Sequence, residues 1–537
     1  MKSRILSVVL MLITASPAAA APQLVTLDSS SPLISIRIMV KAGSAMDPAG
    51  REGLAALTAQ ALLDGGYGPD EAVVTKEELA RKTQAWGRGA RPSVSVTREV
   101  SVLSMTVPRD ALATYASQIL RPLLLSPRFE QSEIDRLRQE ARTNLTGRLR
   151  YEAIELLGLE ALDEYIFEGT SYGHAVSGSV QGLEAITPEE IRGFFAHYYR
   201  EDNMIVGLST EDEDVRRMVL EALSGVGSVA GEPREPGSVA FTGASPISGR
   251  HAVVVRMPDS GATGVHFGFP LPIDRTHEDF WPLWVANVHF GTHRDSHGLL
   301  YTLIRQERGY NYGDYSYIEH FAWRPYALFP PFNTPRREQY FSVWIRPVAT
   351  EHSQHLLKAA IYELQQMIED GLTDDEVAAS RNKARVLYLN YAETADRLLA
   401  ARMDDAWYGM ERGYLDHYLE RIEAVTTEQV NAAIREYLST EDLKILIVAE
   451  ADRADALAAS LREDGIVYGK GPAEYQLRQV ELEDGSTVWQ VPDDRIDTLR
   501  RDAVWASYPL DLETVLVVDV DQLFETGRFI TPVETSR

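Results

Sequence analysis

From Pro32 to Val40 the residues Ile34, Ile36, Ile38 and Val40 alternate with Leu33, Ser35, Arg37 and Met39. A period of two predicts a strand with one more apolar face. Gly43, Asp47, Pro48 and Gly50 then make a loop. Leu54 to Leu63, built of Ala and Leu with Thr58 and Gln60, predicts a helix that Asp64-Gly65-Gly66 ends. Alternation returns from Val94 to Val107, read as strand, and helical spacing follows over Asp110 to Leu125, Gln131 to Leu145 and Tyr151 to Tyr165. Gly169 to Gly182 reads as loop. Thr187-Pro188-Glu189-Glu190 supplies an N-cap, a proline at the first helical position and an acidic first turn for a helix ending near Tyr199, and Met204 to Leu208 predicts a strand.

The second half repeats the first. Ile186-Thr187-Pro188-Glu189-Glu190-Ile191 corresponds to Val425-Thr426-Thr427-Glu428-Gln429-Val430, and in the same register Tyr198 meets Tyr437 and Met204 to Leu208 meets Leu443 to Ile447. Phe129 to Ile134 likewise matches Leu372 to Val377. The expected fold class is therefore α+β: two homologous domains, residues 22–223 and 251–463, each a mostly antiparallel sheet packed with helices. Residues 224–250, rich in Gly, Pro and Ser, read as the linker between them. Beyond residue 463 the repeat ends, and an extension over 464–537 with strand-like Val515 to Val520 and aromatic Trp489, Trp505, Tyr508 and Phe524 is expected to dock on the body.

Composition changes this picture in three places. A chain of 537 residues, 45% hydrophobic, is too long for one core, which agrees with two domains. A formal charge of -26 argues against nucleic acid and anionic membrane surfaces as partners. The absence of Cys leaves His and carboxylates as the only side chains for a metal site. Residues 1–21 combine Lys2 and Arg4, an apolar run from Ile5 to Ile13 and small Ala18, Ala19 and Ala20, the pattern of a secretory signal peptide, so a periplasmic protein is expected.

Candidate chemistry gathers in Tyr301 to Tyr312. Leu299, Leu300, Leu303 and Ile304 keep helical spacing, Gly309 suits a left-handed stop, and Tyr310 onward reads as strand. The reversal at Gly309 would bring Arg305 and Tyr312 to one opening, where a guanidinium and a phenol can donate to a peptide carbonyl and to the oxyanion formed on it. The same residues also suit plainer roles, an Arg capping helix carbonyls and a Tyr in a sheet.

These runs, with Val40 to Gly66, Ser126-Pro127-Arg128-Phe129 and Tyr172-Gly173-His174, resemble the pitrilysin or insulinase-type metallopeptidases, the inverted zincins, over about residues 25–460. The family's helix carries His-x-x-Glu-His, two zinc-binding His one turn apart and a Glu that takes a proton from the metal-bound water. In register, Ala56 and Gln60 stand at the His positions and Ala59 at the Glu, and the third ligand falls near Glu140. No metal is therefore expected in this chain. His289, His293 and His297, and His352 and His355, have ligand-like spacing, but Gly291 interrupts the first set and the resemblance makes it a turn. What the resemblance retains is Arg305 with Tyr312 seven residues later, and an aromatic contact at Tyr301. Loss of one half of the site with retention of the other implies the non-catalytic subunit of a heterodimeric zinc peptidase, with zinc in an HxxEH-bearing partner and an unfolded peptide as substrate. The alternative is a binding or scaffold pseudopeptidase with no role in chemistry.

Overall fold

The computed structural model describes residues 21–227, 243–293, 296–321, 333–463, 478–482, 484–490 and 495–530. The expected signal peptide, the middle of the linker and the start of the extension lie outside these residues.

The first sheet comprises β1 (Gln23–Thr26), β2 (Leu33–Val40), β3 (Ser93–Val96), β4 (Ser101–Pro108) and β5 (Met204–Leu208), in the order β1-β5-β2-β4-β3. Only the β1–β5 pair is parallel. The second comprises β6 (Arg250–Met257), β7 (Thr263–Leu271), β8 (Asp314–Tyr317), β9 (Gln339–Val348) and β10 (Leu443–Glu450), in the order β6-β10-β7-β9-β8, again with a parallel first pair. The internal repeat is thus repeated strand for strand. The extension adds a hairpin, β11 (Arg478–Glu481) and β12 (Thr487–Gln490), and then β13 (Leu512–Asp519), which pairs parallel to β6 and becomes the outer strand of the second sheet. The fold is α+β, two sheets packed with helices.

Ten of the helices place the site: α1 (Leu54–Asp64), α2 (Gln131–Thr143), α3 (Ile154–Ile166), α4 (Pro188–Tyr198), α5 (Phe280–Gly291), α6 (Thr350–Asp370), α7 (Asp374–Tyr391), α8 (Ala395–Tyr408), α9 (Thr427–Tyr437) and α10 (Ile496–Ser507). The repeated caps read from sequence are present. Thr187 and Thr426 each accept from the third backbone N–H of α4 and α9, and Glu190 and Gln429 reach back to close the box. Thr373 and Glu376 do the same for α7.

Two predicted strands differ, and the segment Gly169 to Gly182, read as loop, already enters a helix at Val180. The alternation from Val94 to Val107 is a hairpin rather than one strand. Thr97 to Val100 turn the chain, with Thr97 N–H donating to Val100 O, because Arg98 and Glu99 are drawn out of register into other partners. Tyr310 to Gly313 form a turn, and the strand begins only at Asp314.

The halves exchange helices. The first half's α3 packs on β7, β9 and β10 of the second sheet, while the second half's α8 packs on β1, β2 and β5 of the first. Both contacts run over glycines, since a Cβ at Gly158 would meet the His266 ring at 2.0 Å and one at Gly207 would meet Met403 Sδ at 2.2 Å. Asp163 on α3 is fully buried and holds Arg336 of the second half by both oxygens and Arg98 of the hairpin turn at 2.9 Å. Its neighbour in the turn, Glu99, accepts from Arg337 Nη1 and Trp407 Nε1 at 2.9 Å and from the hydroxyls of Tyr172 and Tyr408.

The extension closes over both halves. On the second half, Trp505 of α10 is fully buried against Leu303 and Ala359, with the Arg308 guanidinium 4.2 Å over its ring. On the first half, the backbone after β13 accepts at Leu523 O from Arg150, and Phe524 O and Glu525 O accept from the N–H groups of Val180 and Gln181. Phe529 stacks on Tyr165 at 4.4 Å.

Candidate functional site

Helix α1 follows Gly53, whose φ of 102° is one that favours glycine, and its N–H groups are met by the buried Asp47, which accepts from Gly53 and Ala55 at 2.7 Å. Ala56 and Gln60, one turn apart, share the half-exposed side of this helix and line a cleft of about 350 Å³. Ala59 is fully buried on another face. Val94 and Val96 of β3, with Leu149, Leu156 and Val176, supply the other apolar walls, and Asn144, Glu160 and Ser177 the remaining polar groups.

These residues do not fit zinc. The Ala side chains carry no donor, and the Gln60 amide is held along its own helix, its Nε2 donating to Asp64 Oδ2 at 3.1 Å. Glu140 does not face the cleft; it is largely exposed and paired to Arg136 at 2.9 Å. Asn144, four residues further on and the first residue of a π-helical segment, reaches the cleft where Glu140 does not. Glu160 had no signal in the sequence, because its orientation is set by the exchange of α3 between halves. Burial pushes its carboxyl up, opposed by the charge of Arg98. Among the described residues no three His, Asp or Glu side chains gather in a way that could hold a metal ion. His293 is taken up in packing, its Nδ1 at 2.7 Å from the Tyr317 hydroxyl and its ring against Phe321, and His355 is buried within its own half, where desolvation lowers it to about 4.

Arg305 lies in the last turn of a π-helical segment, Tyr301–Gln306, that Gly309 ends with φ 71°, as its sequence suggested. Its guanidinium carbon stands 5.0 Å from the centre of the Tyr301 ring, and its buried Nε has no hydrogen-bond partner among the described residues. Tyr301 in turn packs on a cluster of Leu159, Tyr315, Tyr317, Phe321 and Trp344. The structure therefore brings Arg305 and Tyr301 together, and Tyr312 lies on the following turn, 78% exposed. Helix α3 links both regions, since Leu156 and Glu160 line the cleft and Leu159 supports the aromatic cluster.

The turn that carries Tyr312 is fixed from beneath. Asn311 donates to Asp314 Oδ1 at 2.7 Å and to Arg346 O, and accepts from Gly313 N–H. Asp314 is fully buried and its Oδ2 has no partner among the described residues, so burial pushes its carboxyl up to about 8, more than the Asn311 bond lowers it. A carboxyl raised in the folded state stabilises while protonated. That contribution is full below the unfolded value of about 4 and lost as pH rises through about 8. Asp314→Asn is expected to flatten this decline between about pH 4 and about pH 8 in a stability-versus-pH series from denaturant unfolding, leaving the slope below pH 4 unchanged.

Residues 185–384, which include Arg305 and Tyr312, match the family model described as the peptidase M16 inactive domain. Over those residues the chain is similar to that domain. An uncharacterized zinc protease of Streptomyces coelicolor is 27% identical over 281 residues, 51% of this chain and 56% of that relative. The chain thus spans little more than half the length of the curated relatives it matches. Among solved structures, a peptidase M16 inactive domain from Pseudomonas fluorescens has a TM-score of 0.66 at 20% identity, covering 80% of this chain and 96% of that one. A Helicobacter pylori protease has the same TM-score at 13% identity, with 80% and 99% covered. At these identities the likeness is one of fold, and it agrees with the two paired sheets described above.

Proposed function

We propose that this M16 protein is the zinc-less subunit of a periplasmic heterodimeric metallopeptidase, working with a partner that bears His-x-x-Glu-His and holds the zinc. The observation that carries the reading is the chemistry of α1, where Ala56, Ala59 and Gln60 occupy the positions at which the resembling family binds metal and takes up a proton. This chain's part is to hold an unfolded peptide. β3, the edge strand of its sheet among the described residues, borders the cleft and offers backbone groups for strand pairing. Arg305 and Tyr312, the latter open to solvent, would donate to the scissile carbonyl and stabilise its oxyanion in trans, with Tyr301 backing the guanidinium. The periplasmic setting rests on the residue pattern of 1–21.

A scaffold role without chemistry is the second reading, favoured by the way Arg305 leans on Tyr301 of its own turn. One experiment separates the two. The chain is assayed for peptide cleavage alone and with the His-x-x-Glu-His partner, in wild-type and Arg305→Ala forms. The lone chain is expected to be inactive, and the substitution to lower turnover of the pair by roughly ten- to a thousand-fold. An unchanged rate would leave the scaffold reading, and chelator-sensitive activity of the lone chain would remove both.

A further inference from the structure

We propose that His355 is an acid-sensitive latch: a proton taken up there releases the extension helix α10 from α6 and, with it, the Tyr301–Gln306 segment that carries Arg305. His352 and His355 have ligand-like spacing, yet no metal-holding group forms among the described residues, which leaves their place in this junction to be explained. His355 lies on α6, 1% exposed, its ring centre 5.8 Å from that of Trp505 and 6.3 Å from that of Tyr310. Neither ring nitrogen has a hydrogen-bond partner among the described residues. A buried polar group so placed is costly when neutral and more costly when charged.

The charges around the ring oppose the proton further. Those that bear on it are Arg308, from the turn after the π-helical segment, and His352 and Lys358 of its own helix; with burial as the largest cause they lower it to about 4. The acids of the junction are engaged elsewhere. Asp502 of α10 accepts from Arg308 Nε at 2.6 Å, Glu307 accepts from Arg308 Nη1 at 2.9 Å, and Glu363 accepts from Trp505 Nε1 at 2.8 Å with Arg501 beside it. An imidazolium formed here therefore has no counter-charge in place, and water reaches it only when α10 lifts.

Arg308 transmits that step. It holds α10 through Asp502 and Thr498 O and the segment through Leu303 O at 2.6 Å, while Arg495 of the extension donates to Glu307 O. Opening of α10 thus frees the turn that follows Arg305. A His whose folded value lies below the unfolded value near 6.5 contributes stability that is full above that value and lost as pH falls toward the folded one. Glu363, raised by burial, has the opposite sign; half-buried His352, lowered too, has the same sign and is tested apart. In the periplasmic setting proposed above, where pH follows the medium, the latch would loosen the hold on Arg305 in acid. That use rests on the proposed function, but the latch itself does not.

The test is hydrogen exchange of the full chain at about pH 7.5 and about pH 5, read as protection factors, which divide out the intrinsic effect of pH on exchange. In the wild type, the amides of α10 and of Tyr301–Gln306 are expected to lose protection by roughly ten- to thirty-fold at the lower pH, as linkage to one such His requires, while α1 keeps its protection. His355→Leu gives up no hydrogen bond and should abolish the loss. His355→Gln, polar but without a titration, should do the same if the first variant packs poorly. His352→Gln should keep the loss. Undiminished protection in the wild type at the lower pH overturns the latch, as does a loss that both His355 variants share or one that vanishes in His352→Gln. A loss that extends equally to α1 is general acid unfolding and overturns it too. None of these outcomes depends on peptide cleavage, so the latch and the proposed function can fail separately.

Discussion

Asp163→Ala is expected to destabilise the protein by about 3–5 kcal/mol, read from denaturant unfolding, because it leaves the guanidinium groups of Arg98 and Arg336 buried without their counter-charge. Arg98 is 0% and Arg336 2% exposed, so water cannot replace the carboxylate. The penalty belongs to the broken set rather than to the pairing itself. Replacing Asp163, Arg98 and Arg336 together by apolar residues of similar volume is therefore expected to restore most of the loss. Acid gives a second check. Burial alone would raise the Asp163 carboxyl, but Arg336 and then Arg98 outweigh it and hold the group well below the usual carboxylate range. A depressed value stabilises above the unfolded value near 4 and ceases to do so as pH falls toward the folded one. The difference between wild type and variant should accordingly be full at neutral pH and shrink below about pH 4.

Trp505→Ala is expected to cost a similar amount, about 3–5 kcal/mol for loss of a fully buried indole. The ring fills the space between Leu303 and Ala359, its Nε1 donates to Glu363 at 2.8 Å, and Arg308, held by Asp502 at 2.6 Å, lies across its face. Leu303 and Arg308 flank Arg305 in sequence, so the damage has a local signature. Hydrogen exchange is expected to quicken at the amides of Tyr301–Gln306 and of α10, with α1 unaffected. Equal loss of protection in α1 would mean that the extension has no particular hold on the Arg305 segment.

Much of the architecture was legible because it is local. The alternation of Ile34, Ile36, Ile38 and Val40, the Gly stop after α1, the capped starts at Thr187 and Thr426 and the left-handed Gly309 each act within a few residues of chain. The repeat told which of these pieces are equivalent, and the sheets bear that out. What could not be read depends on contacts between distant segments. Nothing around Asp163 indicates that it will be sealed against Arg336, 173 residues away, and the hairpin turn at Arg98 and Glu99 was hidden within an alternating run for the same reason. At the candidate site, the positions of Ala56 and Gln60 on one side of a helix followed from spacing, whereas the sequence reading pointed to Glu140 and the cleft takes Asn144 instead. The presence of Glu160 in the cleft did not follow from spacing, because α3 is turned by packing on the other half's sheet.

The placement of β13 bears on how the protein is made. It aligns with β6, and His251 Nδ1 meets Thr514 Oγ1 across 263 residues of chain. During synthesis β6 leaves the ribosome long before its outer neighbour, so one flank of the second sheet stays unpaired while everything between is translated. In that interval the nascent chain is open to wrong strand partners, and a holding factor acting there would be expected to recognise the bare edge Arg250–Met257.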